Sequence, residues 1–337
     1  MTTSRTRDAA RRGWLIHFAA TALAAAALPR RAQAQPAASR FPERPISLLV
    51  PFAPGGIADL TARAVAEQMG RSLGQPVVVE NKPSAGSIVA SQAVATSRPD
   101  GHTLLLMSNA NAVSVGLFRK LPYDPVRDFA PITTLGYFDI GLFTAANSRF
   151  ATLRELLAWT RAHPGRLNVG TIAPGSTQHL AAKLFETVAG VDLLVVPYKG
   201  SPAVLTALRA GEIDLAFEIV APMVPQVAAG VVRALAVSSD RRNPALPQVV
   251  TVQEAGLANY NVASWNALAA PAGTPPEVLE RLGRAARDAV ATAEVRERLG
   301  KLGMRLAASS PEQLAALLAA EIQRWSAVIR AAKIEPE

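Results

Sequence analysis

Two short stretches of the chain carry residue types suited to gripping an anion. Pro51-Phe52-Ala53-Pro54-Gly55-Gly56-Ile57-Ala58-Asp59-Leu60 ends an apolar run with a Pro-Gly-Gly corner and then takes up helical spacing. Ile172-Ala173-Pro174-Gly175-Ser176-Thr177-Gln178-His179-Leu180 repeats the pattern 120 residues later. At that offset Ala53-Pro54-Gly55-Gly56 matches Ala173-Pro174-Gly175-Ser176, and Leu60, Ala62, Arg63 and Gly70 match Leu180, Ala182, Lys183 and Gly190. Proline fixes φ and keeps the residue before it extended, while glycine lets the backbone bend and a ligand come close. A helix that begins just beyond such a corner has unpaired N–H groups and its positive dipole end at the corner. A carboxylate or phosphate is stabilised there.

One Pro-Gly corner can end a strand and bind nothing. Two matched corners facing each other could hold one small carboxylate from both sides. Four charge-assisted bonds would supply a gross ~6–12 kcal/mol, and association costs bring this to micromolar order. Asp59 and His179 share the slot four residues after the first glycine of each corner. An acid there pairs with its own helix start or with a ligand amine; a histidine donates to a carboxylate or packs as a structural side chain. Further candidates stand at other strand ends: Ser84 and Gly86, Ser108 and Asn109, Tyr198, Lys199 and Gly200, and Glu218, to which Lys199 could pair.

The elements that must position these residues alternate. Residues 46–50 form an apolar run fit for a strand covered on both faces. Residues 57–73 have helical periodicity, 76–80 read as a strand, 86–95 as a helix and 103–107 as a strand. A second set follows: helix 153–163, strand 167–171, helix 176–189, strand 193–197, helix 202–210, strand 213–217, helix 222–229 and strand 233–238. Between and after the sets, 132–144 and 264–270 are apolar without helical period, as extended crossings would be. Residues 275–333 read as helices, with Pro275-Pro276 and Ser310-Pro311-Glu312 as starts. The βαβαβ order predicts parallel sheets covered by helices. Two α/β units joined by two crossings make a hinged pair, lobe 1 from 41–142 plus 265–337 and lobe 2 from 143–264. Ligands of such sheets bind outside the carboxyl ends of the strands, here the cleft between lobes.

Composition removes several alternatives. Half of the 337 residues are hydrophobic and 18% charged, enough for a large core. The formal charge of +9 falls to +4 once residues 1–34, with six arginines against Asp8, are set apart. An aromatic-poor remainder of that charge speaks against nucleic-acid binding. In 1–34 a basic stretch precedes the apolar run 14–28, and Ala32-Gln33-Ala34 supplies a cleavage site. That run is shorter than the ~20 residues a membrane span needs. An export signal is expected, and Arg11-Arg12 favours the twin-arginine route over general secretion. With no cysteine, disulfides, thiolate catalysis and Cys-based zinc sites are excluded. Neither GxxxxGK[ST] nor a GxGxxG after a strand is present, so nucleotide cofactors are not expected; no other cofactor or metal is implied. A GxSxG elbow and HExxH are missing too.

Several motifs occur in order: PERPI, PFAPGG, VVVENKPSAGS, PDGHTLLL, DFAPIT, APGSTQHLAA, VPYKGSPA, RALAVSS, NPALPQVVTVQEAGL and PAGTPPEV. From about Phe41 onward they resemble the Bug-type periplasmic receptors of tripartite tricarboxylate transporters. The resemblance implies an α/β, two-lobed periplasmic binding protein of type II, a Venus flytrap with two extended crossover segments. Such a receptor is periplasmic and hands a small carboxylate to membrane permease subunits, without cofactor or catalysis; a monomer is expected. It further implies that the strand-to-helix loops of both lobes hold a ligand carboxylate, partly through ordered waters. By motif match these are Phe52, Gly55, Gly56 and Asp59, then Ser176, Thr177 and His179, with Tyr198, Lys199 and Gly200 nearby.

The chain departs from the family in two places. Ser84-Ala85-Gly86-Ser87 replaces a more glycine-rich stretch, and Glu218-Ile219-Val220-Ala221-Pro222 stands where members often carry Asp-Asn-x-x-Ser. The second change predicts a more apolar distal pocket and a monocarboxylate with an apolar or aromatic part. A sensory receptor for a membrane signalling protein needs the same cleft. An exported enzyme would have to rely on His179 with Asp59 or Glu218.

Overall fold

The computed structural model describes residues 41–172 and 174–336, which form one compact unit. The export-signal expectation lies outside the described residues.

Strand β1 (Ile46–Val50) is buried on both faces and sits between two parallel neighbours, β2 (Val77–Asn81) and β3 (Thr103–Ser108). Helix α1 (Ile57–Leu73) turns Ala62, Val65, Met69 and Leu73 inward and ends where Gly74 takes the left-handed conformation that only glycine adopts at no steric cost. Helix α2 (Ile88–Ala95) begins two residues later than its apolar spacing predicts. A short 3-10 turn, Ala85–Ser87, precedes it, with Gly86 and Ser87 both at positive φ.

The two stretches expected as crossings are strands in their own right. β4 (Phe129–Ala145) has 17 residues, and β9 (Ala263–Pro271) lies antiparallel between it and β3. The parallel pairing expected of the βαβ units is present, and the two crossing segments add antiparallel strands to it, because chain segments that return across the cleft arrive in the opposite direction. β4 serves two sheets. Up to Asp139 it pairs with β9; from Ile140 onward it pairs with β7 (Leu215–Ile219) and β8 (Val232–Val237). Beyond β7 come β5 (Asn168–Ile172) and β6 (Leu194–Tyr198), parallel to one another. The switch from one sheet to the other falls at residues 139–140.

Two elements are absent from the sequence-based expectation. Helix α3 (Asn109–Leu117) opens on Ser108, whose Oγ accepts from the Ala110 amide at 3.3 Å while Asn111 Oδ1 accepts from the Ser108 amide at 2.9 Å. Its valines and asparagines are weak helix formers, so the capping and its packing decide. Strand β10 (Met304–Leu306) pairs with β4 in a stretch expected to be helical.

In the second sheet α4 (Leu153–Ala162) starts on a Thr152–Glu155 capping box. Helices α5 (Thr177–Ala189), α6 (Ser201–Ala210) and α7 (Val220–Ala228) follow β5, β6 and β7. After β9 come α8 (Pro276–Ala291), α9 (Ala293–Gly300) and α10 (Pro311–Ala331). The last packs against both α3 and α5, so the end of the chain ties helices of the two sheets together. Trp325 on α10 is fully buried there. Near it, Tyr260 Oη donates to the Ala181 carbonyl of α5 at 2.9 Å.

Candidate functional site

The two corners adopt the same conformation. Gly55 and Gly175 have φ of 81° and 78°, the left-handed region that favours glycine. Gly56 and Ser176 are the extended N-cap residues of α1 and α5. The fourth residue plays the same part in each. The Gly55 amide donates to Asp59 Oδ2 at 2.9 Å, and the Gly175 amide donates to His179 Nδ1 at 3.4 Å. Asp59 and His179 thus hold their own turns in shape.

Their chemistry differs. Burial disfavours the Asp59 carboxylate, but the Arg63 guanidinium and the amides of Gly55 and Asn81 together hold its pKa below the usual value. Both Asp59 oxygens are occupied by these partners. Among the described residues His179 has no counter-charge. Burial, with the Lys183 ammonium adding to it, pulls its pKa down to about 4, so near neutral pH the ring is uncharged and offers a lone pair to the Gly175 amide.

Both corners line one cavity of about 270 Å³. Gly56, Ile57 and Ala58 form one side, and Gly175, Ser176, Thr177 and Gln178 the other. Among the described residues no protein acceptor meets the amides of Ile57, Ala58, Thr177 or Gln178, as expected for the first turn of a helix. Phe52, Phe138, Ile172 and Ile219 give the cavity an apolar body; Ser108, Ser201, Ser264 and Asn266 add polar groups. Asn266 is 3% exposed, and its Nδ2 meets no acceptor among the described residues. An unsatisfied buried amide costs ~1–3 kcal/mol, which a ligand oxygen in the cavity would recover.

A polar relay crosses between the sheets at this point. Trp325 Nε1 donates to Asn109 Oδ1 at 2.8 Å, Asn109 Nδ2 to Thr177 Oγ1 at 3.1 Å, and Thr177 Oγ1 to Ser264 Oγ at 3.3 Å. The tryptophan fixes which way the Asn109 amide points, and the amide fixes the hydroxyl of Thr177.

Of the residues singled out from sequence, Phe52, Gly56, Ser108, Ser176 and Thr177 line the cavity directly. Asn109 reaches it through Thr177, while Gly55, Asp59 and His179 shape the corners. Ser84 and Gly86 are not among the lining residues: Ser84 Oγ accepts from the Val89 amide, and the Gly86 carbonyl accepts from Ser114. Tyr198, Lys199 and Gly200 are not among the lining residues. The expected Lys199–Glu218 pair is not formed. Lys199 is exposed and Glu218 fully buried, and carrying the ammonium inward would cost its hydration. Ser201, which ends the Tyr198–Ser201 strand-end motif, does line the cavity, whereas sequence reasoning missed Gln178, Ser264 and Asn266. Asn266 carries the one available signal, an amide inside the apolar run of β9.

Two sheets sharing a long strand, with a cavity between helix N-termini from each, define a two-lobed α/β binding protein of the periplasmic type. Residues 61–334 match the model of the tripartite tricarboxylate transporter family receptor, and the chain belongs to that family. The protein in the tcbD–tcbE intergenic region of Pseudomonas sp. strain P51 is 39% identical, over 98% of this chain and 97% of its own. Among solved structures, the periplasmic binding protein BugD is 30% identical with a TM-score of 0.77, covering 88% of this chain and all of its own. Rpa4515 of R. palustris, solved with adipate, is 32% identical with a TM-score of 0.79 over the same shares. The chain is a Bug-type solute-binding receptor and not an enzyme. No helix among the described residues is long and apolar enough to cross a membrane.

Proposed function

We propose that the protein captures a small organic carboxylate in this cavity and presents it, in a closed form, to a tripartite tricarboxylate-type membrane permease. The observation that carries the reading is the meeting of two conformationally equivalent helix starts on one cavity, with the unpaired Asn266 amide beside them. A carboxylate there receives helix amides from both sides, the hydroxyl of Ser176, and that of Thr177 once its proton turns from Ser264 to the ligand. A volume somewhat below the ~300–1,000 Å³ of drug-sized sites suits a metabolite of a few carbons. Lobe 1 (41–142 with 265–337) and lobe 2 (143–264) close by bending β4 and the approach to β9. Adipate in Rpa4515 supports a carboxylate as the ligand class.

Ser176→Ala with Thr177→Val removes two hydroxyls and leaves the backbone donors. Bonds to a charged group at ~1.5–3 kcal/mol each predict a loss of affinity of about tenfold or more. The cap lost at Ser176, whose Oγ accepts from the His179 amide at 3.1 Å, costs about 1 kcal/mol of stability. Calorimetric titration with short carboxylic acids, beside thermal melts without ligand, checks both. Unchanged affinity would remove these hydroxyls from the site. Delivery to a permease is tested by acid uptake in cells lacking the gene; uptake unaltered by the deletion, while purified protein still binds, would favour a sensory role.

A further inference from the structure

Three helices of the second sheet begin around one buried carboxyl group. Glu218, the penultimate residue of β7, is fully buried. Its Oε2 accepts from Ser201 Oγ, the first residue of α6, at 2.8 Å and from Gln178 Nε2, in the first turn of α5, at 3.4 Å. It also accepts from the amide of Ile219, the residue that leads into α7, at 3.2 Å. Oε1 meets no donor among the described residues. Ser201, Gln178 and Ile219 are themselves cavity-lining residues, so the donors on this wall are turned inward onto the protein's own carboxyl. None of the described lining residues is a lysine, arginine or histidine.

Convergent helix N-termini attract an anion, and here the anion is already supplied. We propose that Glu218 is a built-in substitute for the second carboxylate of a dicarboxylate. The cavity therefore selects acids with one carboxylate, held at the paired corners, and an uncharged remainder. The inference rests on the receptor reading above and narrows its ligand class.

A dicarboxylate entering this cavity finds the hydroxyl of Ser201 and the amide of Gln178 engaged, and a carboxyl directly behind them. Its second charge gains no donors, loses its hydration and meets a like group. The uncharged end of a monocarboxylate meets Phe52, Ile57, Phe138, Ile172 and Ile219 instead. Burial pushes the pKa of Glu218 up against the three hydrogen bonds that oppose it, and a second carboxylate beside it would be disfavoured by the same burial.

The test is calorimetric titration of the full chain with acid pairs matched in length: butanoate and succinate, hexanoate and adipate, octanoate and suberate. In wild type the best-fitting monocarboxylate is expected to bind at least tenfold more tightly than its dicarboxylate. Glu218→Ala, which vacates the place between the helix starts, should bring the pair within about twofold by a gain in the dicarboxylate. Glu218→Gln keeps the shape and serves where the alanine variant does not fold. Dicarboxylate binding by wild type equal to or tighter than that of its partner overturns the proposal and leaves the receptor reading standing. An unchanged ratio in a folded Glu218 variant overturns it too. Absence of binding by all six acids would overturn the receptor reading itself, and this inference with it.

Discussion

Trp325→Ala is expected to cost about 3–5 kcal/mol of stability and to weaken ligand binding although the indole touches no ligand. The side chain is fully buried between α10 and its neighbours, so its removal forfeits packing and leaves a cavity in the join between the two sheets. The indole N–H is shared between Asn109 Oδ1 at 2.8 Å and Glu321 Oε2 at 2.6 Å. Without it the Asn109 amide is no longer held in the orientation that serves Thr177. Trp325→Phe separates the two effects. It keeps most of the apolar volume, loses the donor, and should cost about 1–3 kcal/mol as the buried Asn109 Oδ1 loses its partner. Urea denaturation checks the stability of both variants, and titration with a bound acid checks the affinity. A phenylalanine variant with wild-type affinity would show that the relay from α10 to Thr177 has no bearing on binding.

The second large effect is on acid stability, and it comes from His179. A histidine whose pKa falls from about 6.5 unfolded to about 4 folded contributes stability that is complete above pH 6.5. That contribution is lost as the pH drops from 6.5 through about 4. The shift corresponds to something on the order of 3 kcal/mol. A protonated Nδ1 also turns from acceptor to donor and opposes the Gly175 amide, so the second corner should lose its shape and its hold on a carboxylate in the same range. Unfolding free energies from urea titrations at several pH values between 4 and 7 give the comparison. His179→Gln, which retains an acceptor but does not titrate, is expected to flatten that part of the profile. The same slope in both proteins would assign the acid sensitivity to other groups.

How far these features could be read from sequence depends on how local they are. The corners were legible because proline and glycine act on their own backbone, and the 120-residue echo pointed to a pair. The extent of α1 followed from its apolar spacing. Helix α3 was hidden because its start depends on a Ser108–Asn111 capping box among weak helix formers. β10 was hidden because three residues become a strand only when β4 lies beside them. The slot shared by Asp59 and His179 was visible, but not its use. That both side chains accept from the glycine four residues earlier is a matter of turn geometry. Ser264 and Asn266 come from one strand, β9, and Ser201 from the start of α6, and only the fold brings the two elements to one cavity. Glu218 was noticeable as an acid where a shorter acid and an amide are usual in the family. Its encirclement by three helix starts could not be inferred without coordinates.

The paired corners are tested most directly by a crystal structure of the protein with whichever small acid stabilises it most. The account predicts the carboxylate between Gly56 and Ser176, its oxygens within hydrogen-bonding distance of first-turn amides of both α1 and α5, with the Asn266 amide turned toward it. Electron density for the acid in any other place, or held by one corner alone with the opposite helix start empty, would contradict it.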